Sequence, residues 1–97
     1  MAEVWIRIHP KTIVRTDEIT TISVRAEQAT IALRGVKDPL PLLTPGPGEP
    51  QLPRGFEAEV LAAIGGAQAN DARVVLLAPQ IHPDGSRWVF ATEQALP

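Results

Sequence analysis

The sequence predicts an α+β domain that is mostly antiparallel β: a small curled or barrel-like sheet of about seven short strands, with one helix inserted before the last hairpin. Three observations predict it. Apolar and polar residues alternate with period two through much of residues 4–43. Turn-forming residues interrupt that alternation, among them two copies of Ile-His-Pro, at 8–10 and 81–83. A single stretch, beginning at Phe56, spaces its apolar residues as a helix does.

Val4, Ile6 and Ile8 fall on one face of the first segment and Trp5, Arg7 and His9 on the other, the pattern of a half-buried strand. Pro10-Lys11 turns the chain into a second strand at 12–15. Thr16-Asp17-Glu18 is expected as a one-turn helix or polar corner, with Thr16 capping free amides and both acids near the positive end. Residues 19–25 set Ile22 and Val24 opposite Thr21, Ser23 and Arg25, and residues 29–34 set Ile31 and Leu33 opposite Thr30, Ala32 and Arg34. Ala26-Glu27-Gln28 joins these two strands as a hairpin.

Gly35 breaks the fourth strand, and residues 36–43 resume an extended segment in which Leu40 and Leu42 alternate with Pro39 and Pro41. Proline has no N–H for a ladder, so this segment is an edge strand or an extended arm. Residues 44–53 carry prolines at 45, 47, 50 and 53, which predicts a loop of polyproline character inside one domain spanning 1–97. Phe56, Val60 and Ile64, with Leu61 beside them, make the helix; Gly55 can cap it, and Gly65-Gly66 supplies a left-handed stop. A small-residue connector, 67–72, leads to the closing hairpin: strands at 73–81 and 87–92 around the turn His82-Pro83-Asp84-Gly85-Ser86.

Composition narrows the function. The chain has no cysteine, which excludes disulfides, thiolate catalysis and cysteine-ligated zinc. The longest apolar run, residues 74–78, is strand-sized and far short of the roughly 20 residues that cross a bilayer, and no leader pattern opens the chain, so a cytoplasmic protein with no membrane role is expected. Arginine outnumbers lysine seven to two, with thirteen alanines and ten prolines, a bias that fits a GC-rich bacterial genome. Net charge is −2, which leaves no ready-made basic track for a phosphate backbone.

Candidate chemistry is sparse. His82, Asp84 and Ser86 hold the residue types of a hydrolytic triad, but on a five-residue turn they do not reach opposite nitrogens of one imidazole, and turn formation accounts for them. His9 and His82 would join a metal only if the two hairpins were neighbours and Asp84 or Glu3 added a third ligand; two exposed strand ends is the reading adopted, with no metal and no cofactor. Pro50-Gln51-Leu52-Pro53 is formally a PxxP ligand, read here as part of a structural loop. No phosphate-binding glycine loop or HExxH motif occurs. Residues 13–35, with Asp17-Glu18-Ile19, Ile22 and Ile31-Ala32-Leu33-Arg34-Gly35, resemble in hydrophobic spacing the small FlbD-type motility proteins and LytTR-type DNA-binding domains, and no function is carried from that resemblance.

Two surfaces remain. The final hairpin is apolar on both faces, with Val75 and Leu77 opposite Val74, Leu76 and Ala78, and Trp88 and Phe90 opposite Val89 and Ala91. Such strands lie inside a sandwich, under a helix or at a subunit interface. Val74, Leu76, Trp88, Val89 and Phe90, with Leu40 and Leu42 of the proline-bearing edge, are therefore the expected contact residues of a non-enzymatic protein-interaction or homo-oligomeric accessory or regulatory module, its partner another protein or a second copy, with a homodimer the expected assembly. The alternative is a nucleic-acid-binding regulator that uses Trp5, Arg7, Arg15, Arg25 and Arg34 for stacking and phosphate contact. Cross-strand pairing with Glu3, Asp17, Glu18 and Glu27 would instead make those arginines a solvated face.

Overall fold

A computed structural model describes residues 1–97, with strands β1 (Glu3–His9), β2 (Thr12–Arg15), β3 (Ile19–Arg25), β4 (Gln28–Leu33), β5 (Leu40–Leu43), β6 (Val74–Ile81) and β7 (Trp88–Leu96), and helix α1 (Phe56–Gln68) between β5 and β6. The fold is α+β with mostly antiparallel sheets, as the alternation predicts. It is not one curled or barrel-like sheet: the strands form a four-stranded sheet in the order β2-β1-β6-β7 and a separate three-stranded sheet in the order β3-β4-β5.

The division follows from how β1 is used. It pairs antiparallel with β2 on one side and parallel with β6 on the other, Val4 opposite Val75 and Ile6 opposite Leu77. Both edges of β1 are then occupied and β2 is the sheet's end, so β3 starts a new sheet. A 3-10 turn, Thr16–Glu18, carries the chain across. Its first residue is not the cap that the sequence predicts: Thr16 is buried, and its hydroxyl donates to the Val4 carbonyl at 3.0 Å, pinning the corner to β1.

Fifteen buried residues make one core. Val4, Ile6, Val75 and Leu77 contribute from the four-stranded sheet, Ala29, Ile31 and Leu42 from the three-stranded sheet, and Phe56, Val60 and Ala67 from one stripe of α1. Phe56 is fully buried. Gly55 precedes α1 in the left-handed region, φ 83°, a conformation that glycine adopts without penalty. The expected stop at Gly65-Gly66 does not occur. Both glycines stay helical, and α1 runs to Gln68 because Ala67 packs into the core and the Gln68 carbonyl accepts the Ala2 N–H at 3.0 Å.

The proline-rich segment is fixed at several points. Leu52 is buried, its N–H donates to the Ala26 carbonyl at 3.3 Å, and the Trp88 indole N–H donates to the Pro50 carbonyl at 2.8 Å. Leu52 thus spends the middle of the PxxP stretch on the core. No helix of the structure is long and apolar enough to cross a membrane.

Thr16→Val should cost about 1–2 kcal/mol, since it keeps the volume but leaves the Val4 carbonyl without its partner. Gly66→Ala should add about 0.5–1 kcal/mol, because nothing lies within 4 Å of the new Cβ and alanine loses less backbone entropy in a helix. Urea unfolding midpoints of the two variants check both signs.

Candidate interaction surface

Side chains alternate along a strand, so the inward direction of Val4, Ile6, Val75 and Leu77 turns Glu3, Trp5, Arg7, Val74 and Leu76 to the opposite face of the four-stranded sheet. Helix α1 and the three-stranded sheet both pack on the inner side. The outer face has no second layer. Trp5, Val74, Leu76, Val89 and Ala91 are half-buried there, while Ile13 and Leu96 are 41% and 46% exposed.

Ion pairs border this apolar area. Arg15 lies 3.1 Å from Glu3 and 3.0 Å from Asp17, and the Trp5 indole donates to Glu3 at 2.7 Å. Arg7 reaches over β6 to Glu93 of β7 at 2.8 Å and also donates to the Pro10 carbonyl at 2.9 Å. Ala78, on the strand between them, is buried as a result. These pairs are solvent-exposed and worth little to stability, but they leave the face close to electrically neutral.

The residues that the sequence singles out do not all meet. Val74, Leu76 and Val89 share the outer face. Phe90 faces inward at the sheet edge, its ring centroid 5.7 Å from that of Phe56. Trp88 and Leu42 are 9% and 1% exposed, and Leu40 packs against the core from the other sheet, so these three are core supports and not contact residues. Spacing along the strands does not reveal that the proline-rich segment covers Trp88 or that Leu42 packs between the two sheets. Trp5, Arg7 and Arg15 belong to the four-stranded sheet, while Arg25 and Arg34 belong to or follow strands of the three-stranded one. The expected line of five therefore splits in two.

Ile13, Leu96 and Glu93 are surface residues that the sequence reading missed. The two consecutive polar residues Glu93-Gln94 break the alternation, which predicts a strand end at Thr92; in the structure Glu93 is the extra residue of a β-bulge opposite Leu76 and Leu77, and β7 continues to Leu96.

The two Ile-His-Pro turns use the same local chemistry. His9 Nδ1 accepts the Lys11 N–H at 3.3 Å, and His82 Nδ1 accepts the Asp84 N–H at 3.2 Å. The parallel β1–β6 pairing sets both turns at one end of the sheet, yet no three His, Asp or Glu side chains gather there as a metal site would require. In the second turn the Ser86 hydroxyl donates to Asp84 at 2.6 Å and not to an imidazole, while Asp84 also lies 3.0 Å from His82 Nδ1. A carboxylate at the centre of this chain holds the turn together but gives the serine no base.

The Ser86 hydroxyl and N–H, and more weakly His82, hold the Asp84 carboxyl at about 2, below its ordinary 3.8. The lowered value means that the carboxylate supports the turn fully above pH 4 and that this support is lost as pH falls from there through 2. The Ser86 amide resonance should therefore titrate with a midpoint near 2, and the midpoint should move toward 3.8 in Ser86→Ala. Compared with known protein families, curated proteins and solved structures, the chain matches none.

Proposed function

We propose that this chain is a small non-enzymatic protein-binding module that meets its partner, another protein or a second copy, through the four-stranded sheet. The bare outer face carries this reading: Trp5, Ile13, Val74, Leu76, Val89 and Leu96 lie on one side of the sheet with no layer over them. Covering an aliphatic or aromatic side chain of this size is worth about 1.5–3 kcal/mol when burial is complete, so a few of them supply the apolar centre of an interface. The ion-paired border suits the polar rim around such a centre. The arginine-, alanine- and proline-rich composition fits a GC-rich bacterial genome.

The nucleic-acid alternative has weaker support. Arg7 and Arg15 already face carboxylates, and Arg25 and Arg34 lie on the other sheet. A net charge of −2 offers little to replace them.

Leu76→Asp tests the reading, since Leu76 is half-buried on the outer face and its loss spares the core. Light scattering on the purified wild type should give a particle heavier than the 10.5 kDa chain, alone or with a partner at fixed stoichiometry. The variant should lose the contact made through the outer face, with a urea stability within about 1 kcal/mol of wild type. A wild-type monomer that is instead retained on heparin, with retention falling steeply as salt rises, overturns the proposal in favour of nucleic acid.

A further inference from the structure

Strand β7 is the outer strand of its sheet, and no strand lies on its side away from β6. The backbone direction along it can be followed residue by residue. His82 N–H donates to the Arg87 carbonyl at 2.8 Å, so Arg87 turns its backbone groups toward β6. By alternation Val89 and Ala91 do the same, and Trp88, Phe90 and Thr92 turn theirs to the open side. Pro79 agrees with this assignment: it lies opposite Phe90 and has no N–H to give.

Free edges are commonly defended by proline, lysine or a bulge. From Trp88 to Thr92 this edge has none of these, and the bulge comes only at Glu93. A cleft of about 250 Å3 opens along it, lined by Phe56, Glu59, Ala62 and Ala63 of α1 and by Trp88, Val89 and Phe90.

We propose that this edge pairs with the same edge of a second copy, antiparallel about a two-fold axis at Phe90, so that two four-stranded sheets become one continuous sheet. The inference adds to the protein-binding reading a separate contact, the β7 edge, and names a second copy of this chain as its occupant. Charge selects the register. With Phe90 opposite its own counterpart, the outward groups of Trp88 meet those of Thr92 in the second copy, and Arg87 stands opposite Glu93 at both ends. Arg87 and Glu93 share the outer face with Arg7, so each Glu93 sits between two guanidinium groups. A shift of two residues either way sets Arg87 and Glu93 against alanine, valine or glycine and loses both contacts. The pairing also brings each Phe90 beside the other's cleft, next to Phe56.

Charge reversal with the full chain tests this. Wild type should have twice the 10.5 kDa chain mass. R87E alone and E93R alone each set like charges opposite one another and should weaken the dimer by roughly tenfold or more, with unchanged circular dichroism. An equimolar mixture of R87E and E93R sets opposite charges together at both contacts and should recover the dimer. Hydrogen exchange supplies an independent readout: the amides of Trp88, Phe90 and Thr92 should be protected in wild type and fast in R87E, while Val89 and Ala91 stay protected in both. A monomeric wild type overturns the inference. So does a dimer in which both reversals have no effect and the Trp88, Phe90 and Thr92 amides exchange quickly. If Leu76→Asp dissolves that second kind of dimer, the protein-binding reading survives while the edge pairing falls.

Discussion

The parallel pairing of β1 with β6 is the contact on which the rest of the molecule depends. It joins residues some seventy positions apart and uses Val4, Ile6, Val75 and Leu77, all nearly or fully buried, as its inner face. Parallel neighbours need a crossover, and here the crossover is most of the protein: the three-stranded sheet, the proline-rich segment and α1 all lie between the two strands. Because all of that material returns to one side, the core forms there and the other side stays bare. The same pairing brings Arg7 close enough to β7 to reach Glu93 and sets both Ile-His-Pro turns at one end.

Stability and the proposed interaction therefore use opposite sides of one sheet. Phe56, Val60, Ile31 and Leu42 press on the inner side, and substitution among them would damage the fold. Trp5, Leu76 and Val89 lie on the outer side, where they contribute less to the core and are free to meet another surface. The ion pairs that edge this area are held by β2, β1 and β7 together, so the border is itself a product of strand order.

Alternation within each strand was legible in the sequence because inner and outer faces meet such different surroundings. Ile22 and Val24 against Thr21 and Ser23, and Val75 and Leu77 against Val74 and Leu76, kept the faces that their spacing predicts. Turn chemistry was legible too: Gly85 takes a positive φ between Asp84 and Ser86, and Gly55 takes one before α1. Partners were not. No local signal says that β1 chooses β6, and without that choice the strands cannot be divided into two sheets. Thr16 before two acids reads as a cap, but tertiary packing spends its hydroxyl on Val4. Gly65-Gly66 reads as a stop, but contacts of Ala67 and Gln68 outweigh the propensity of the glycines. For the candidate surface, the outward residues of β6 and β7 could be read from spacing, whereas Glu93 and Leu96 lay behind a bulge that mimics a strand end.

Synthesis order adds a consequence of the β1–β6 pairing. A ribosome makes β1 some seventy residues before its parallel neighbour. Until Val74–Ile81 is made, the edge of β1 away from β2 has no strand to pair with. The backbone edge that the finished molecule closes with β6 is thus the edge that a half-made one leaves open longest.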